Sequence, residues 1–128
     1  MNIISAWGNS RTELAEEVVM FCVKELMPRM RTLDICVDIC EDTDVYGYCL
    51  AVNKREFVIE VREDLSDVDF LTTIMHEMTH VAQYAQGRLP INGKIEYRTQ
   101  EEYENLWYEI EAYQMESVLL KKYLESVK

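Results

Sequence analysis

The chain has 128 residues, enough to bury a sizeable core, and is expected to form one domain over residues 1–128. Its 48% hydrophobic and 29% charged content fits a soluble globular protein. A formal net charge of −11, with basic residues scattered rather than clustered, speaks against nucleic acid as a partner, since phosphate binding needs a basic face.

No apolar run approaches the length of a membrane span. Asn2, Trp7 and Arg11 interrupt the start, where a secretory leader would need apolar residues. The expectation is no membrane association and a cytoplasmic location. Cys22, Cys36, Cys40 and Cys49 contain no CxxC pair, so they read as free thiols of a reducing compartment rather than as ligands of a structural metal.

Residues 9–31 read as an amphipathic helix. Ser10 or Asn9 can cap it, Glu13 stands at capping-box distance from Ser10, and Leu14, Val18, Phe21, Cys22, Glu25 and Leu26 follow a helical rhythm. Pro28 should disturb its last turn. A strand follows, with Leu33, Ile35, Val37 and Ile39 alternating with Asp34, Cys36, Asp38 and Cys40. Glu41-Asp42-Thr43-Asp44 reads as a turn, 45–52 as a second strand and Asn53-Lys54 as a tight turn. A third strand over 56–62 places Phe57, Ile59 and Val61 on one face. Adjacent strands of this kind predict a small antiparallel meander of about three strands. If the first two form a hairpin, Cys36 falls opposite Cys49, where an extracellular version could form a bridge.

Ser66 or Asp67 should cap the next helix, which runs to about Gln86 and ends at Gly87 as a left-handed cap. In it Phe70, Ile74, Met78, Val81 and Ala85 can face the core, with His76 and His80 on another side. Residues 88–99 contain Pro90 and Asn92-Gly93 and read as a loop. Residues 101–125 read as a long final helix. Its end, Leu119 to Leu124, is most simply an amphipathic segment docking on the core. The fold class expected is α+β: an N-terminal helix, a small antiparallel sheet, and two further helices.

Both histidines of the chain fall in one stretch, His76-Glu77-Met78-Thr79-His80. With two His and 17 Glu among 128 residues, shuffling produces HExxH on the order of once in 500 chains. On a helix, residues four apart share a face about 6 Å apart along the axis, so both imidazoles can bind one Zn²⁺ while Glu77 reaches a metal-bound water as general base. A catalytic zinc usually takes three protein ligands. No third histidine exists and the cysteines all lie upstream, so a carboxylate of the final helix is the natural source. The stretch from Leu106 to Ala112 offers Glu109 and Glu111.

HExxH followed by Tyr103-Glu104-Asn105 and Glu109-Ile110-Glu111-Ala112 resembles the gluzincin metallopeptidases, particularly the minigluzincins and short phage-type metallopeptidases. The likeness covers about residues 70–115. It implies a minimal zincin-like domain with Glu109 as third zinc ligand, and Ala112 small so that two helices approach closely. It also implies zinc-dependent hydrolysis of peptide bonds in a peptide or protein substrate, through a metal-bound water activated by Glu77. Two positions depart from the family pattern. Trp107 stands where many relatives have proline, and Tyr113 where some carry a polar residue that orients a ligand. Glu111 or Glu116 could take that orienting role. Tyr84, Tyr97, Arg98, Tyr103 and Tyr108 are available as donors to the tetrahedral oxygen, and strand 57–62 as an edge for an extended substrate. The aromatic cluster Tyr103, Trp107, Tyr108 and Tyr113 reads as helix packing ahead of a substrate pocket. The alternative to an enzyme is a catalytically silent or latent zinc-binding interaction module. A DNA-associated protease of SprT-like type is disfavoured by the acidic balance and the missing zinc ribbon.

Overall fold

The computed structural model describes residues 1–41, 44–91 and 99–128. The elements run β1 (Ile3–Trp7), α1 (Thr12–Leu26), β2 (Asp34–Cys40), β3 (Gly47–Ala51), β4 (Glu56–Arg62), α2 (Asp67–Ala85), α3 (Gln100–Glu104) and α4 (Trp107–Ser126). The class is α+β, as expected.

The sheet differs from the expected meander. It has four strands in the order β1-β2-β4-β3; β1, β2 and β4 are parallel and β3 alone is antiparallel, to β4. Period-two alternation decides which face of a strand is buried but not which strand lies beside it. Leu33, Ile35, Val37 and Ile39 share the buried face with Phe57, Ile59 and Val61, so β2 and β4 form the centre of the sheet. β3 exposes Tyr48 and Leu50 and occupies the edge. Strand 57–62 is therefore interior, and β3 takes the edge position. Cys36 pairs in register with Val58 and Cys49 with Ile59. With β4 between them, β2 and β3 stand about 9–10 Å apart, beyond disulfide reach. All four cysteines are free.

β1 was not apparent in the sequence. Its five residues carry no long alternation, and the strand is secured from outside: Ile3 N–H donates to Leu33 O (2.7 Å), while the Asn2 amide donates to Met30 O (3.0 Å) and accepts from Leu33 N–H (2.8 Å). The helix after it is shorter than residues 9–31. Arg11 occupies the N-cap in the left-handed region (φ 59°) and no side chain caps α1, so neither Asn9 nor Ser10 serves. Tertiary bonds hold Arg11 there. Its guanidinium donates to Glu63 O (2.6 Å) and Leu65 O (3.0 Å) and lies 4.1 Å from the Phe70 ring centroid. α1 ends two residues before Pro28, which disfavours helical geometry in the residue preceding it.

α2 follows its expected signals. The Ser66 hydroxyl accepts from Asp69 N–H (3.2 Å), and Gly87 adopts φ 74° beyond the C-terminus. There Arg88 N–H donates to Gln83 O (2.9 Å) and Gly87 N–H to Tyr84 O (3.0 Å), a Schellman pair. Phe70, Ile74, Met78, Val81 and Ala85 are buried against the sheet side of the core, and the opposite face is buried too, under α4.

The expected helix 101–125 is two helices. Leu106 is extended (ψ 135°), and Asn105 closes α3 with its N–H and side-chain amide on Glu101 O (3.1 and 2.8 Å). α4 packs on α2 with Ala112 fully buried, and its end, where Leu119 is buried, docks on α1 through Tyr123. The Tyr123 hydroxyl donates to Glu17 (3.1 Å), and its ring meets Phe21 edge-on at 5.3 Å. Among the described residues no helix is long and apolar enough to cross a membrane.

Candidate metal centre

Four-residue spacing on α2 puts His76 and His80 one turn apart, their ring centroids 5.1 Å from each other. Glu109 sits in the first turn of α4, where the helix dipole favours a negative charge. The break at Leu106 starts α4 at that point. The His76 Nε2 to Glu109 Oε1 distance is 3.2 Å, and His80 Nε2 contacts the same oxygen. All three residues are buried, and one ligand atom from each lies within 4.8 Å of the others.

A tetrahedral ion with bonds of about 2.0–2.1 Å has ligand–ligand edges of roughly 3.3 Å. The His76–Glu109 edge of 3.2 Å is of that size while the His80–Glu109 edge is shorter, and the buried His-His-Glu group could bind a metal ion. The outer ring nitrogens are also engaged. His76 Nδ1 meets Glu116 Oε2 (2.9 Å), and His80 Nδ1 meets Gln83 Oε1 (2.8 Å). An acceptor at each Nδ1 favours the tautomer with its proton there, leaving the Nε2 lone pairs free for an ion.

Gln83 is fully buried and extends this support outward. Its amide donates to Tyr108 O (3.0 Å) and Glu111 Oε1 (3.1 Å), and Arg88 grips both Glu111 oxygens (2.9 and 3.0 Å). Glu111 thus belongs to the bracing of His80 and stands apart from the His76, His80 and Glu109 group. Of the two carboxylates nominated to orient a histidine, Glu116 does so directly and Glu111 through Gln83.

Protonation follows the geometry. Burial alone would lower the His76 pKa, but hydrogen bonds to Glu109 and then Glu116 raise it to about 10. Burial likewise opposes charge on His80, and Glu109 outweighs it. For Glu109 burial acts upward, but bonds from His76 and His80 hold the carboxyl well below its usual range. Burial raises Glu77, with His80 and His76 opposing.

Glu77 is 7% exposed, lines a cleft of about 550 Å³ with His76 and Glu109, and makes no hydrogen bond or ion pair among the described residues. Across the cleft Gly47 approaches α2 so closely that a Cβ there would lie 2.6 Å from Thr73 Cγ2. Tyr103 and Tyr113 also line the cleft; Tyr103 hydrogen-bonds Glu109, and the Tyr113 ring lies 4.7 Å from that of His76. Two members of the aromatic cluster therefore face the site. Tyr108 stands edge-on to His80 at 5.9 Å, and Tyr84 packs near Phe57 at 6.3 Å. Tyr97 and Arg98 lie outside the described residues.

Gln83 was missed in the sequence although a signal existed. It lies three residues beyond His80, on the same helical face. Glu116, seven beyond Glu109, repeats that logic on α4. Comparison with protein-family models, curated proteins and solved structures finds no match.

Proposed function

We propose that the chain is a zinc-dependent peptidase in which His76, His80 and Glu109 hold the ion and Glu77 is the general base. Two imidazoles and a carboxylate are a donor set suited to zinc and leave a position for substrate or water. The observation that carries the reading is Glu77: a nearly buried carboxylate without a hydrogen-bond partner among the described residues, on the cleft wall beside the three candidate ligands. A structural metal site has no need of it.

When bound, zinc supplies Lewis-acid polarisation of a carbonyl and lowers the pKa of a water towards about 7. Glu77 takes the proton of the attacking water and passes it to the leaving amine; its raised pKa suits a group that must hold that proton between the two transfers. Glu116 and Gln83 keep the imidazoles aimed. The Tyr113 hydroxyl, on the cleft wall, can donate to an oxyanion, whereas that of Tyr103 is engaged by Glu109. Val45, Tyr46 and Gly47 line the cleft at the start of the edge strand β3, where an extended substrate can be aligned by strand addition.

The test measures zinc stoichiometry and cleavage of a broad peptide library by the parent chain and Glu77→Gln. One zinc per chain is expected in both, with hydrolysis lowered about 10²–10⁴-fold in the variant. Unchanged hydrolysis would remove Glu77 from the mechanism. Stoichiometric zinc without turnover in the parent would favour a silent zinc-binding module.

A further inference from the structure

We propose that the cleft selects peptides carrying lysine or arginine near the scissile bond, and that Asp69 is the residue that reads the positive charge. The inference rests on the peptidase reading above and adds a substrate class to it.

Four carboxylates line the cleft: Asp69, Glu77, Glu109 and Glu116. No lysine or arginine does so among the described residues. A divalent ion at the histidines would offset only two of these charges. Three of the four have their work assigned, Glu109 between the imidazoles, Glu116 on His76 Nδ1 and Glu77 beside them as base. Asp69 is different. Its carboxylate makes no hydrogen bond or ion pair among the described residues, while its backbone is pinned at the start of α2 by the Ser66 cap. Arg62 comes within 5.5 Å of the ring of Tyr46, another lining residue, but both oxygens of Asp64 hold it (3.0 and 2.8 Å).

Asp69, Thr72, Thr73 and His76 follow one another at helical spacing along the cleft floor. Seven residues of helix place Asp69 about 10 Å from His76, the span of about three residues of extended peptide. A long cationic side chain from a nearer residue covers the same ground, with its stem over Val45 and Tyr46 and its head at Asp69. A cleft of one sign with low-dielectric walls concentrates its field, so an acidic substrate residue is repelled where a basic one is drawn in.

The experiment uses the zinc-loaded full chain and matched fluorogenic peptides carrying Lys, Gln or Glu at each of the three positions on either side of the cleaved bond. At low salt, kcat/KM for Lys at the best position should exceed that for Glu by about tenfold, and the gap should narrow at high salt. Asp69→Asn preserves an acceptor and the helix start; it should bring the Lys-to-Gln ratio of kcat/KM close to unity. Equal rates for Lys and Glu, or a ratio indifferent to Asp69→Asn, overturn the proposal while leaving the peptidase reading intact. Binding of the same peptides separates the remaining cases. Asp69-dependent preference for the Lys peptide without any cleavage would keep the cation selectivity and discard the peptidase reading. Absence of both cleavage and preference would discard both.

Discussion

Replacing Gln83 by methionine removes an amide from a fully buried position with little change in volume. Three hydrogen bonds go together: the acceptor for His80 Nδ1 (2.8 Å) and the donors to Tyr108 O (3.0 Å) and Glu111 Oε1 (3.1 Å). His80 then loses the partner that fixes its tautomer and ring angle. Losses of this kind lower metal affinity about 10–100-fold, or about 1.4–2.7 kcal/mol. The fold should lose less than three full hydrogen bonds, at about 1 kcal/mol each, because the thioether fills the space and Arg88 continues to hold Glu111. Zinc affinity is read by competition with a chromophoric chelator at fixed pH, and stability by urea unfolding with the metal chelated. Arg88→Gln is the graded control. It breaks only the outer link, between side chains 42% and 35% exposed, and should change zinc affinity little. Zinc affinity of Gln83→Met within about twofold of the parent, in a protein that still unfolds cooperatively, would refute the bracing role.

The remaining predictions concern the cleft wall, protonation and the thiols. Gly47→Ala sets a Cβ 2.6 Å from Thr73 Cγ2 and 2.7 Å from Glu60 O, so β3 must shift; a loss of about 1–3 kcal/mol should appear in thermal unfolding, and a Tm equal to the parent's would contradict the close approach. In the metal-free chain the folded His76 pKa, held near 10 by Glu109 and Glu116 against the pull of burial, lies above its unfolded value near 6.5. Its stabilising contribution is therefore complete below pH 6.5 and fades as pH rises towards 10. Unfolding in chelator at pH 7 and pH 9.5 should show that decline, and His76→Gln should flatten it. Burial, with Glu25 adding, pushes the Cys22 thiol up to about 12, so native alkylation followed by mass spectrometry should label the half-buried Cys36 well before Cys22. Equal labelling of the two would contradict the packing of α1.

Much of the chain was legible because local signals and tertiary demands agree. Ser66 and Gly87 bound α2 as their types require, and the alternation from Leu33 to Ile39 and from Phe57 to Val61 named the buried faces of two strands. The candidate site was legible for a related reason. HExxH is a within-helix pattern whose spacing alone brings two imidazoles and a carboxylate together, and Glu116 was named among the carboxylates able to orient a histidine, whereas Gln83 was not. Where reading failed, the deciding contact was distant. Arg11 starts α1 because Glu63, Leu65 and Phe70 receive it, and β1 exists because the segment around Met30 and Leu33 pairs with it.

By itself, then, the order of residues determined the helices and strands with strong periodicity, the faces they bury and the side chains able to grip a cation. Tertiary structure alone decided that β4 inserts between β2 and β3, that a bend at Leu106 opens α4 at Glu109, and that Asp69 and Tyr46 border the same cleft. The physical reason is range. Periodicity and capping act within a few residues, whereas strand order and a cleft's walls are set by how distant apolar faces are best buried together.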